Sequence, residues 1–263
     1  MGHTTGRRRT AIPRYLGELM KILVPIKRVI DYNAVIEVKD DGSGVKKDGV
    51  KMSINPFDEI ALEEAIRLKE DNQATQIDII SIGPSACQEV LRKGLAMGAD
   101  NALLIETDEE LESIDIAKII ESKHQQNKYD LILMGKQAID DDHHQTAEML
   151  SALLDWPFAG QAYAIKKSDE NFVIETEVDG GIRRLSFKGP AIISTDLRLN
   201  EPRYVTLPNL MKARQKPIET RTLSDLDVIP EVRTKTTLVT EPAKRTGGTV
   251  YDKIDEFIEA CQK

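Results

Sequence analysis

The sequence predicts an α/β fold, a parallel sheet flanked by helices with an extended C-terminal arm, and three observations carry that prediction. Short apolar, β-branched runs alternate with helix-forming segments from Met20 onward. Asn55-Pro56-Phe57-Asp58 has the chemistry of a helix start, with Asn55 at the N-cap, Pro56 at the first helical position and an acid at the third, as in a capping box. Finally, the apolar run Tyr129–Met134 passes through Gly135 into a polar loop and then into a helical segment, Thr146–Leu154. Strand, glycine, polar loop and helix start form the unit at which α/β sheets hold nucleotides.

In chain order, Lys21–Ile26 reads as the first strand. Val35–Val38 and the turn Asp41-Gly42-Ser43-Gly44 suggest a small hairpin. The helix after Asn55 sets Ile60, Ala61, Ala65 and Leu68 on an inward stripe. Ile77–Ile82 is the next strand, ended by Gly83-Pro84. A helix follows from about Ala86 to Met97, with Gly98 as its C-terminal glycine. Ala102–Ile105 is a third strand, Ile114–Lys123 a helix that leads to His124 in a polar setting, and Tyr129–Met134 the fourth strand. Right-handed crossovers then make these strands parallel. Gln161–Lys167, Phe172–Val178 and Arg183–Phe187 alternate apolar and polar residues, and Asp179-Gly180-Gly181 turns the last two into a hairpin. Ala191–Thr195 is a short buried strand. Beyond Pro202 the prolines at 208, 217, 230 and 242 and the weak periodicity predict an irregular stretch laid over another surface. Val250–Ala260 closes the chain as a helix with Ile254, Phe257 and Ile258 on one side.

Three regions follow: a leader at 1–19, an α/β domain at 20–216 with a recognition loop near 203–214, and a C-terminal arm and helix at 217–263 that packs on a partner. The leader has Arg7-Arg8-Arg9 and Arg14, no acid between Gly2 and Gly17, and no apolar core of a secretory signal. An organelle presequence and a non-native extension both remain open for it.

Of the 263 residues, 40% are hydrophobic and 30% charged, the balance of a folded domain. No apolar run approaches the roughly 20 residues of a membrane helix. The net charge of −8 opposes nonspecific nucleic-acid binding. Cys87 and Cys261 form no metal or redox pair.

Pro25, Asn55–Asp58, Ile82 and Gly135 all stand at predicted carboxyl ends of strands or at the helix start beside them, so four separate segments can line one pocket. In the loop Gly135-Lys136-Gln137-Ala138-Ile139-Asp140-Asp141-Asp142-His143-His144-Gln145-Thr146, free amides of the following helix can receive phosphate oxygens, and Gln145 and Thr146 add donors. Three consecutive carboxylates repel a triphosphate. They suit a helix N-terminus, and a capped, solvated helix entry is the plain alternative. Adjacent Asp side chains diverge, and His143 and His144 lack the i, i+4 spacing of a metal pair, so no metal is expected. The sequence has no P-loop, no G-x-G-x-x-G after the first strand and no G-x-S-x-G elbow. A binding protein without catalytic residues fits better than a hydrolase or transferase.

Asp196-Leu197-Arg198-Leu199-Asn200-Glu201-Pro202-Arg203-Tyr204, running into Val205-Thr206-Leu207-Pro208-Asn209-Leu210-Met211-Lys212-Ala213, closely resembles the beta subunit of electron transfer flavoproteins. So do Val24–Tyr32, Asn55-Pro56-Phe57, Ala96–Asp100, Gly135–Thr146, Asp155-Trp156-Pro157 and Val178–Gly181. The likeness extends from Met20 to the C-terminal helix. It implies a Rossmann-like domain holding a structural AMP among Pro25, Asn55, Pro56, Phe57, Asp58, Ile82 and 135–146. It also implies an alpha subunit that carries most of the FAD, with Tyr32 near the flavin ring. Electrons would come from acyl-CoA dehydrogenases and leave to electron transfer flavoprotein-ubiquinone oxidoreductase. Leu207 would be the anchor that docks into dehydrogenases, with Pro208, Met211 and Glu177 on the same surface and Lys212 and Arg214 steering the encounter. The setting implied is bacterial cytoplasm or mitochondrial matrix. A stand-alone ATP-binding sensor of the same α/β class is the rival reading.

Overall fold

The computed structural model describes residues 20–168, 171–243 and 247–262; the leader lies outside them. Its first unit comprises residues up to Ala34 and Gly49–Thr234. Strand β1 (Met20–Pro25) leads through a two-stranded antiparallel sheet of β2 (Arg28–Ile30) and β3 (Met52–Ile54) into α1 (Pro56–Glu70). There follow β4 (Ala74–Gly83), α2 (Gln88–Met97), β5 (Asn101–Glu106), α3 (Ser113–Asn127), β6 (Leu131–Gly135) and α4 (Thr146–Leu154). Strands β7 (Phe158–Ser168), β8 (Asn171–Val178), β9 (Gly181–Lys188) and β10 (Ala191–Thr195) precede α5 (Leu207–Gln215) and β11 (Glu219–Thr222).

Among the described residues the main sheet has nine strands in the order β11-β5-β4-β1-β6-β10-β7-β8-β9. It is parallel from β11 to β7, and β8 and β9 add antiparallel at one side. The parallel part follows from the alternation of strands and helices in the sequence. Burial follows the two-residue period of a strand. Ile22 and Val24 face one core with Leu62, Leu91 and Leu95 of α1 and α2, while Leu23 faces another with Ile119, Ile120 and Leu150 of α3 and α4. The sheet is therefore covered on both faces, as parallel sheets are.

The segment around 38–45 forms a minimal hairpin at the expected turn, with an antiparallel bridge of Val38 and Val45, the Lys39 amide donating to the Gly44 carbonyl at 2.9 Å and the Lys46 amide to the Glu37 carbonyl at 2.8 Å. Three other local readings change. The helix expected from Ala86 begins as a 3-10 turn, Ser85–Cys87, before α2; Gly98 ends α2 with φ of 146°, a backbone that favours glycine. His124 is buried rather than solvated: its Nδ1 accepts from the Tyr129 amide at 3.2 Å, and its ring meets Trp156 edge-on at 4.6 Å. The stretch beyond Pro202, read as irregular, contains α5 and β11.

The second unit, Val35–Asp48 with the described residues from Lys235 on, is small. Within it the Val239 amide donates to the Gly42 carbonyl at 2.9 Å. The last helix, α6, spans Ile254–Cys261 and buries none of its residues; Ile254, Phe257 and Ile258 are exposed. No helix among the described residues is long and apolar enough to cross a membrane.

Candidate nucleotide site at the switch point of the sheet

The chain runs from β1 to β4 and β5 on one side, then returns to β6 on the other. The strand order thus reverses at β1, and crevices at such reversals, beyond the carboxyl ends, are where α/β sheets take ligands. Pro25, Gly83 and Gly135 end β1, β4 and β6. Ile82 is half-buried one residue before the end of β4.

The loop after β6 is tied to the start of α1. The Asn55 Nδ2 donates to the Gln137 carbonyl at 2.8 Å, and the Ile139 amide donates to Asn55 Oδ1 at 3.2 Å. Asn55 occupies the N-cap position, but its side chain makes no cap hydrogen bond. The expected capping box is therefore corrected: the third-position acid, Asp58, also serves the loop. Its Oδ2 accepts from the Lys27 amide at 2.8 Å and its Oδ1 from the Gly135 amide at 3.1 Å. Buried backbone donors must find acceptors, and two carboxamide or carboxylate side chains across the crevice supply them. Phe57 is buried, its carbonyl accepting from Thr195 Oγ1 at 3.0 Å, and Lys136 Nζ lies 5.3 Å from the centre of its ring.

The three acids do not face one another unrelieved. Lys27 Nζ lies 2.8 Å from both Asp140 Oδ1 and Asp141 Oδ2, and Gln137 Nε2 donates to Asp142 Oδ1 at 2.7 Å. Burial disfavours the Lys27 ammonium, yet its hydrogen bonds to the Asp140 and Asp141 carboxylates hold its pKa above the ordinary value. Asp142 and His144 take positive φ of 50° and 49°, which turn the chain into α4. Gln145 Nε2 donates to Ser113 Oγ at 3.2 Å, and no side chain caps α4. The amides of its first turn therefore have no side-chain acceptor at the N-cap. Lys136 leads away from the loop: its Nζ is 2.9 Å from Asp196 Oδ2. Burial raises the Asp196 pKa, but Arg198 and Lys136 bring it down to about 2.

Asp58 lies deepest. Its burial pushes its pKa up to about 7, against the pull of the amide donors and Lys27. The folded protein therefore holds this proton above the ordinary value of 3.8, where the unfolded chain has released it. Stability is expected to fall as pH rises from that value to about 7 and to level off above it. Denaturant titrations of the wild type and Asp58→Asn across the window test this. Equal pH slopes for the two would show that Asp58 does not carry the effect.

The structure brings Pro25, Asn55–Asp58, Ile82 and 135–146 to one end of the sheet. Tyr32 is 74% exposed on the turn after β2. Glu177, on β8, pairs with Arg198. Leu207, Pro208 and Met211 lie in the first turns of α5, a helix where the sequence suggests an exposed turn; Leu207 is 72% exposed. Lys27 is the member that sequence reasoning passes over. The available signal is a cation two residues beyond a strand end, in a chain whose opposing loop carries three acids. Among the described residues no group of His, Cys, Asp and Glu is arranged to hold a metal ion.

The electron transfer flavoprotein domain model matches residues 43–226. The chain is 49% identical over 239 residues to the electron transfer flavoprotein subunit beta of Bradyrhizobium diazoefficiens, covering 91% of this chain and 96% of that one. It is 49% identical to the mitochondrial subunit beta of Arabidopsis thaliana over 242 residues (91% and 96%), and 43% identical to the human subunit beta over 243 residues (91% and 95%). The likeness runs through the switch-point loop, the strap from Asp196 to Arg203 and α5, and the chain belongs to the electron transfer flavoprotein family as a beta subunit.

Proposed function

We propose that the chain pairs with an alpha subunit to form an FAD-containing electron carrier, and that its own switch-point site holds a structural AMP. The observation that carries the AMP reading is the loop 135–146 laced to Asn55 and Asp58. This cradle has uncapped helix amides for a phosphate, and its acids are turned onto Lys27 and Gln137. A mononucleotide asks for only one phosphate's donors, which suits a loop without a lysine-bearing P-loop.

FAD, when bound, supplies the redox chemistry. The chain's part is position: Tyr32 stands exposed for a flavin-side contact, and the apolar edge of α5 stands exposed for a dehydrogenase of the acyl-CoA class. Leu207 and Met211 form the apolar centre of that edge, Pro208 stiffens its first turn, and Lys212 and Arg214 supply charge that speeds encounter with an acidic partner. Glu177 belongs to the same partner surface. Electrons then pass to a membrane quinone reductase, in bacterial cytoplasm or mitochondrial matrix.

Denaturing the purified complex with its alpha subunit and counting released cofactors tests the assignment. One AMP and one FAD per heterodimer are expected. A colourless monomer that saturates with ATP would overturn the reading and favour the sensor.

A further inference from the structure

Helix α5 is not held by its own apolar burial. Of its nine residues only Ala213 is buried, while Leu207, Leu210 and Met211 are exposed. A helix this short is marginal on its own. Its geometry therefore has to come from anchors at its two ends.

At the C-terminal end Arg92, from α2, donates through Nη1 to the carbonyls of both Ala213 and Lys216. The Ala213 carbonyl also accepts from the amide of the C-cap residue Lys216 at 3.2 Å, so Arg92 joins the closing turn of the helix, and a cation there complements the helix dipole. Lys216 Nζ adds a bond to the Ala99 carbonyl at 2.8 Å. At the N-terminal end, Thr206 Oγ1 accepts from the Asn209 amide at 3.4 Å. The strap before it is clamped to α1. Arg203 sends Nε to Glu63 Oε2 at 2.8 Å and Nη2 to Glu63 Oε1 at 3.1 Å, and it pairs with Glu70 at 2.6 Å. Glu63 is 2% exposed and also accepts from Arg67 at 2.8 Å. A planar guanidinium fork spanning two carboxylates fixes direction as well as distance.

We infer that Arg92 and Arg203 are positioning residues that hold α5 in its docking orientation, so that the apolar edge headed by Leu207 reaches a dehydrogenase without paying to order itself. The inference rests on the reading that this edge meets the dehydrogenase. Preorganising a contact helix removes ordering cost from association and leaves the transfer step itself untouched.

The test uses the intact complex with its alpha subunit as the varied substrate of an acyl-CoA dehydrogenase. Arg92→Met and Arg203→Met are each expected to raise KM about tenfold while kcat and flavin content stay at wild-type values. Arg92→Met leaves no buried carboxylate behind, so it keeps the test open if Arg203→Met fails to fold. Each change is also expected to speed amide exchange in α5. The decisive readout is the combination with Leu207→Ala: a positioning role predicts that adding either arginine change to Leu207→Ala raises KM little further. If the effects multiply fully, or if both arginine variants keep wild-type KM while Leu207→Ala raises it, the inference fails. If Leu207→Ala itself leaves KM unchanged, the docking reading fails first.

Discussion

Gly135→Ala is expected to strip the nucleotide site and to cost the protein about 3 kcal/mol or more of stability. A Cβ at this position would meet Asp58 Oδ1 at 2.3 Å, Phe57 Cβ at 2.7 Å and the Asp58 amide at 2.9 Å. The Asp58 oxygen is a side-chain tip, but Phe57 Cβ and the Asp58 amide are fixed to the backbone. They belong to the first turn of α1, a fifteen-residue helix with ten buried positions. Either α1 or the end of β6 must move, and either motion stretches the Gly135–Asp58 hydrogen bond and the ties from Asn55 to Gln137 and Ile139. Denaturant unfolding of the complex and its AMP content per chain read both effects. An alanine variant with wild-type stability and full nucleotide would refute the claim that close approach fixes this residue.

Leu207→Ala is expected to act in the opposite way, leaving the fold intact and disabling exchange with the dehydrogenase. At 72% exposure the side chain contributes little to the core. Burying a leucine in a partner's pocket is worth about 2–3 kcal/mol, which corresponds to a KM rise of roughly 30- to 150-fold. Thermal stability and the flavin spectrum should not change. A reconstituted transfer assay with wild-type KM would remove Leu207 from the interface.

The sheet was legible because its strands are apolar runs bounded by turn residues and separated by amphipathic helices. The switch-point loop was legible for the same reason, as a polar segment between a buried strand and a helix. What local rules could not reach is the use made of the side chains. Asn55 and Asp58 carry the signature of a capping box, but partners some eighty residues later compete for them, and the long-range bonds win. Lys27 gives no local signal, since its role exists only once Asp140 and Asp141 are folded against it. Strand β11 is four residues of Glu, Thr and Arg with no apolar period, as an edge strand can be. His124 looks solvated among polar neighbours because Trp156, its cover, arrives from beyond α4.

The outermost strands have a bearing on self-association. β9 closes one side of the sheet and presents Arg183, Arg184 and Lys188; β11 closes the other and presents Glu219 and Arg221. An unpaired strand edge is a template on which another chain can add, and aggregation begins there when the edge is long and apolar. Here one edge is basic and the other is four residues long. Growth by strand addition is discouraged at both margins, so the sheet can stand at high concentration without seeding fibres.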